Sequence, residues 1–287
     1  MTGGAISWVV LTMGDRVAEL QHAVDSIGSQ DTGGEIVVVA NGGAVVGLGS
    51  TPPVRVTALD HNVGVPAGRE IGVATAGAPI VGFLDDDAVL LQPEAASRIV
   101  DEFAADPLLG AVTLRIVDED GQTARRHVPR FGDSGQDRSG DVVTFLGGAS
   151  AIRREAYERA GGYWGDLFYA HEELDLAWRM HDLGYTVRYL ADVEVAHPAT
   201  PISRHPDGWW RTGRNRVMIA RRNLPWAIAV PHVLVWLIAG WLRAPAGTCR
   251  RRYRQGWWAG WRASVPRHPM RWRTVWRLAR LGRPPIV

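Results

Sequence analysis

The sequence predicts an α/β fold whose mainly parallel sheet is covered by helices on both faces. Three observations predict it. Its short apolar runs are continuous rather than alternating, which marks strands buried on both faces. Segments with helical spacing separate those runs. The chain has 287 residues, 46% of them hydrophobic and 22% charged, a composition suited to one packed domain with an appendage and unlike disordered or fibrous chains.

The elements follow in order. Ala5–Leu11 (AISWVVL) reads as a buried strand, and Asp15–Ile27 carries Val17, Leu20, Val24 and Ile27 at helical spacing. Glu35–Ala40 (EIVVVA) is a second strand, ended by Asn41-Gly42-Gly43. Val54–Leu59 is a third strand, Ala67–Ala76 a short helix and Pro79–Leu84 a fourth strand. Pro93–Ala105 reads as a helix opened by proline, as first turns often are. Ala111–Val117 and Val142–Ile152 are further strands. Between them, residues 118–141 are polar and Gly-rich without periodicity, a mobile loop or an insertion. In such sheets ligands sit beyond the carboxyl ends of the strands, so the residues just after each strand are the ones to inspect.

Charge divides the chain. Residues 1–200 hold 14 Arg against 29 acidic residues, a net of −15; residues 201–287 hold 18 Arg against Asp207 alone, a net of +17. Ten of the 13 Trp also lie after residue 200. An acidic body, 1–203, and a basic, Trp-rich helical extension, 204–287, therefore need separate explanations. The single Cys249 excludes a disulfide framework and a cysteine zinc module. Met1-Thr2-Gly3-Gly4 is not a basic leader ahead of an apolar run, so a reducing, cytoplasmic setting is the expectation.

Chemistry concentrates in three places. Asp85-Asp86-Asp87 follows the fourth strand. An extended backbone points Asp85 and Asp87 the same way, and a hard divalent cation relieves their repulsion while leaving positions for substrate phosphates. A helix cap explains one of the three aspartates but not all. His171–Leu183 has an apolar face of Leu174, Ala177, Trp178 and Leu183, with Glu172 and Asp175 on one side and Glu173 turned roughly 100° from Glu172. Asp175 and Arg179 form an i,i+4 pair that fixes this helix. Gly147 and Gly148 interrupt an apolar run, which marks close approach of a ligand or backbone.

Taken in order, these pieces resemble an inverting family 2 glycosyltransferase of the GT-A, Rossmann-like fold. The likeness rests on Val39-Ala40-Asn41-Gly42-Gly43, Asn62-Val63-Gly64 with Gly68-Arg69, Asp85-Asp86-Asp87 as a DxD motif, and Phe145–Arg154. It continues through Gly161-Gly162-Tyr163, His171-Glu172-Glu173-Leu174-Asp175-Leu176-Ala177-Trp178-Arg179, Gly184-Tyr185 and Val195-Ala196-His197. The resemblance implies a nucleoside-diphosphate sugar donor, a hydroxyl acceptor and Mn²⁺ or Mg²⁺. It implies that Asp85 contacts the nucleotide ribose, that Asp87 and His197 hold the cation, and that Asn62 and Arg69 hold a loop over the donor. Thr12, Asn41 and Asp86 fall on the same donor side. Glu173, the second acid of the helix motif, becomes the base, with Glu172 and the two glycines beside the sugar. Where many relatives carry an acid, this chain has Ala40, so the identity of the base is open. Taken singly, His197 also reads as a strand-end histidine, and Asn62 and Arg69 as a turn and a surface charge.

Leu224–Leu242 is a 19-residue apolar run interrupted by Pro231 and His232. It reads equally as a membrane span, a core helix or an interfacial segment. The Arg and Trp that follow suit the headgroup layer of an anionic membrane, which is placed ahead of packing onto the acidic body, with nucleic acid last. The expected function is transfer of a sugar to a lipid-linked, glycolipid or cell-envelope acceptor at the inner face of the membrane. The alternatives are transfer to a soluble natural product and a non-catalytic, membrane-anchored nucleotide-sugar-binding protein.

Overall fold

The computed structural model describes residues 4–45, 47–49, 53–130, 135–198 and 207–286. The proposed boundary at 203/204 lies outside the described residues. The strands are β1 (Ile6–Thr12), β2 (Glu35–Asn41), β3 (Val54–Leu59), β4 (Ile80–Asp85), β5 (Val89–Leu90), β6 (Leu109–Val117), β7 (Gly140–Asp141), β8 (Ala149–Arg153) and β9 (Thr186–Ala196). They form one sheet in the order β3-β2-β1-β4-β8-β6-β9-β5, with β7 also on β9. β3, β2, β1 and β4 run parallel, β8 is antiparallel to both β4 and β6, and β6 is parallel to β9. Leu11 is opposite Asp85 and Thr12 opposite Ala40, so β1, β2 and β4 end together. Because β2 and β3 lie to one side of β1 and β4 to the other, the strand order reverses between β1 and β4, a topological switch point where such sheets bind ligands.

Helices α1 (Val17–Gly28), α2 (Val65–Thr75), α3 (Ala95–Ala105), α4 (Arg154–Arg159) and α5 (Glu172–Leu183) cover the sheet. Alternation along β1 explains the two layers: Ile6, Trp8 and Val10 pack with α1 and α3, whereas Val9 packs with the side of the sheet that carries α4 and α5. Leu20, Val24 and Ile27 seat α1, each contributing roughly 1.5–3 kcal/mol by leaving water.

One strand is shorter than its apolar run implies. Of the predicted Val142–Ile152, only Ala149–Arg153 pairs as a strand. The amide of Leu146 donates to the side-chain Oγ1 of Thr113 on β6 and not to a backbone carbonyl of that strand (3.0 Å), and Gly147-Gly148 lead into the turn. Val142, Val143 and Phe145 are buried all the same, so their hydrophobicity reports burial and not pairing.

The extension forms α6 (Gly208–Asn223), α7 (Trp226–Arg243), α8 (Thr248–Arg262) and α9 (Trp272–Arg280). These helices share a hydrophobic core with the body: Val217, Leu224, Val233, Trp257 and Leu278 cluster with Trp178 of α5, Leu167 and Val143. The basic part is thus packed against the back of α5 rather than tethered beside it.

Candidate active site

At the sheet edge, β4 ends at Asp85 and the chain turns, the amide of Ala88 donating to the Asp85 carbonyl (3.0 Å). The turn sends Asp86 inward, 3% exposed, where its carboxylate accepts from Thr12 Oγ1 at 2.6 Å. Asp85 and Asp87 face the same way: His197 Nε2, just past β9, lies 3.6 Å from Asp85 Oδ2 and 3.2 Å from Asp87 Oδ1. Arg16 forks onto Asp86 and Asp87. Burial pushes Asp86 up to about 6. Burial acts the same way on Asp87, but the hydrogen bond and charge of His197, with Arg16, outweigh it and hold Asp87 at about 2. For His197 burial alone lowers the pKa; its bonds to Asp85 and Asp87 overcome this and push it up to about 10.

Donor atoms of Asp85, Asp87 and His197 all lie within 4.8 Å of one another. Two carboxylates and an imidazole suit Mn²⁺ or Mg²⁺. The same two carboxylates that favour a proton on His197 would favour a cation in its place, so cation binding would compete with that proton. Asp85 therefore joins the two residues that the sequence assigned to metal.

Arg69 connects this edge to the helix of acids. From α2, 6% exposed, it reaches Asp85 Oδ1 (3.3 Å), Glu172 Oε1 (3.6 Å) and Glu173 Oε1 (3.1 Å). The two glutamates differ as their spacing requires. Glu172 points inward, its side chain 4% exposed, whereas Glu173 is 20% exposed. Burial first, and then the charge of Glu173, pushes Glu172 well above the ordinary carboxylate range. Glu172 Oε2 is buried without a hydrogen-bond partner. Gly147 and Gly148 stand against this cluster. A Cβ at Gly147 would collide with Arg69 and Glu173, and one at Gly148 with Asp85. What approaches these glycines is the chain's own charged side chains.

Asn41 and Asn62 secure the loop before α2. Asn41 Nδ2 donates to Asn62 Oδ1 (3.1 Å) and to the Gly64 carbonyl (3.2 Å), while its Oδ1 accepts from the Val63 amide (2.9 Å). Asn41, 3% exposed, is consumed by this loop. Gly64, at φ +88°, has no room for a Cβ against the Phe168 backbone.

Sequence reasoning missed four residues that hold the site: Arg16, Asn215, Arg222 and Asn223. The segment leading into α5 is strained, with Phe168 at φ 62° and Ala170 and His171 at 72°. Asn215 of α6, fully buried, donates from Nδ2 to the carbonyls of Leu167 (2.9 Å), Tyr169 (2.7 Å) and Ala170 (3.0 Å). One turn beyond the glutamates, Asp175 is fully buried and accepts from Arg179 (2.6 Å), Arg222 (3.1 Å) and Asn223 (2.7 Å). The extension thereby fixes both the approach to α5 and its first turns.

The family profile of glycosyl transferase family 2 matches residues 7–161. No curated protein sequence matches the chain. Among solved structures, the chain is similar to GalNAc-T7 with UDP, GalNAc and Mn²⁺ at a TM-score of 0.63 and 15% identity, covering 88% of this chain and 54% of that one. The chain thus spans about half the length of that relative. It is similar to the mannosyltransferase PcManGT from Pyrobaculum calidifontis in complex with GDP-Man and Mn²⁺ at 0.60 and 18%, covering 98% and 80%. It is also similar to S. aureus TarS 1–349 at 0.56 and 15%, covering 79% and 69%. At these identities the likeness concerns the fold.

Proposed function

Because the chain belongs to glycosyl transferase family 2 and is a glycosyltransferase of the GT-A fold, we propose that it transfers a sugar, with inversion, from a nucleoside-diphosphate sugar to an acceptor hydroxyl. The observation that carries this reading is the continuous chain of contacts from Asp87 and His197 through Asp85 and Arg69 to Glu173. It joins a cation-binding edge to a carboxylate exposed enough to meet an acceptor.

Inversion is a single in-line displacement. Glu173 takes the proton of the attacking hydroxyl as the new bond forms, a role that is typically worth ~10²–10⁴-fold. Arg69 holds that carboxylate in place from 3.1 Å away. Asp87 and His197, with Asp85 adjoining, would hold a divalent cation, whose positive charge would favour departure of the diphosphate. Asp86, pinned by Thr12, orients the turn that carries both neighbours. Thermal unfolding with UDP or GDP, with and without Mn²⁺, tests the reading. Stabilisation is expected only with metal, about 2.7 kcal/mol at a hundredfold excess over Kd, and Asp87→Asn should abolish it. Equal stabilisation in EDTA counts against the metal assignment.

The acceptor side of the proposal is membrane-bound. Trp226, Val230, Leu234, Ile238 and Leu242 recur along one exposed face of α7, between 44% and 62% accessible. The opposite face, Ala229, His232, Val233 and Gly240, is buried in the protein. α7 is long and apolar enough to cross a bilayer, but its buried face supports the interfacial arrangement, lying flat with the exposed stripe in lipid. Trp258, Trp272 and Trp276 are exposed as well, in arginine-rich helices of the composition that suits an anionic headgroup layer. This favours a lipid-linked or glycolipid acceptor at the inner leaflet. The chain is expected to co-float with phosphatidylglycerol vesicles. Changing both Leu234 and Ile238 to Glu should abolish flotation with little change in Tm; retained flotation would refute the α7 assignment.

A further inference from the structure

Two arginines are buried among the described residues, Arg69 and Arg216, each 6% exposed. Arg69 faces three carboxylates. Arg216, on α6, has no hydrogen bond and no carboxylate within electrostatic range among the described residues, and its Nε is buried without a partner. Its guanidinium lies 3.9 Å from the ring centre of Trp236 on α7, and Arg243 lies 5.0 Å from the same ring. Burial first, and then the charges of Arg283 and Arg243 acting against Tyr253, lower its pKa to about 9.

The same corner collects other unsatisfied groups. His171 and His232 both feel the charge of Arg216. The Nε2 atoms of both histidines and Nε1 of Trp236 are buried without partners. His232 is held at Nδ1 by the Pro285 carbonyl (2.6 Å), which turns its ring into the corner. Buried donors and charges are normally paired, and a guanidinium left among like charges is strongly disfavoured. Elsewhere this protein satisfies its inward arginines with carbonyls, as for Arg153 and Arg154. A bound anion resolves the exception.

We propose that Arg216, Arg243 and Arg283, with Trp236 Nε1 and the two histidines, form a binding site for a phosphate or diphosphate group. Arg forks match phosphate oxygens, and a phosphate dianion offsets most of the charge gathered here. Two sources share this chemistry. The phosphate of an acceptor is one, since His171 directly precedes Glu172 and Glu173. An anionic lipid headgroup is the other, since Trp236 and Arg243 belong to α7. The inference does not rest on sugar transfer or on the cation edge.

Its test is the Tm of the full chain in EDTA and chloride buffer, against inorganic phosphate and pyrophosphate at matched ionic strength. A rise of about 5 °C is expected with saturating pyrophosphate. Arg216→Met should remove that rise and should itself be more stable than wild type without anion, because an uncompensated buried charge is gone. Arg283→Gln keeps the test available if Arg216→Met does not fold, and should weaken the pyrophosphate response. No rise in wild type, or the same rise in both variants, overturns the proposal. Adding pyrophosphate to vesicle flotation separates the sources: loss of flotation identifies the headgroup, and unchanged flotation with the Tm rise present identifies an acceptor phosphate.

Discussion

Glu173→Gln is expected to lower the rate of sugar transfer by ~10²–10⁴-fold while leaving metal-dependent donor binding intact. The amide keeps the shape of the side chain and can still accept a hydrogen bond from Arg69, 3.1 Å away in the native site. It cannot take a proton. Because the substituted group is 20% exposed and lies beside the cation edge rather than in it, the Mn²⁺-dependent stabilisation by a nucleoside diphosphate should survive. Glu172 is a poor substitute: it is buried, and its burial together with the Glu173 charge favours its protonated form. Initial rates and thermal shifts on the same preparation decide the matter. Transfer at the wild-type rate in Glu173→Gln, with loss in Glu172→Gln, would move the base to the inner residue. Function unchanged in both would support a binding module rather than an enzyme.

The contrast between these neighbours was legible in the sequence, because a helix turns adjacent residues to different faces. The parallel half of the sheet was equally legible, since Ile36–Ala40 and Ile80–Leu84 are apolar without interruption. So was the acidic turn after β4. Other parts of the site depend on contacts across long stretches of chain, which local pattern does not carry. Arg16 meets Asp86 and Asp87 seventy or more positions away, and Asn215 meets the loop before α5 across 45 to 48 positions. Neither has a distinguishing neighbourhood in sequence. Gly147 and Gly148 are points of close approach, but to side chains of the protein and not to the ligand or backbone that an interrupted apolar run suggests. Periodicity could not say that Arg69, Glu173 and Asp85 make that approach. The basic extension shows the same limit. Its composition separates it from the body, yet Asn215, Arg222 and Asn223 use its first helix to hold the body's acids in place.

That dependence predicts the largest effect on stability. Asp175→Ala is expected to destabilise the protein by about 3–5 kcal/mol, the usual loss when one partner of a buried ion pair is removed. Asp175 is fully buried and receives Arg179, Arg222 and Asn223. Its removal takes from Arg179 and Arg222 the one carboxylate each contacts among the described residues, leaving Arg179 only the carbonyls of Ala160 and Gly162. A loss of that size is about a fifth or more of the roughly 5–15 kcal/mol typical of a folded domain. Denaturant unfolding of ligand-free protein measures it. Asp175→Asn keeps the volume and part of the hydrogen bonding, so it should fall between Asp175→Ala and wild type. If α6 acts as a clamp on α5, Asn223→Ala should cost much less in the Asp175→Ala background than in wild type, because the two residues share one interaction. Additive losses would show instead that α6 and α5 merely lie side by side, and that the extension positions the glutamates through packing alone.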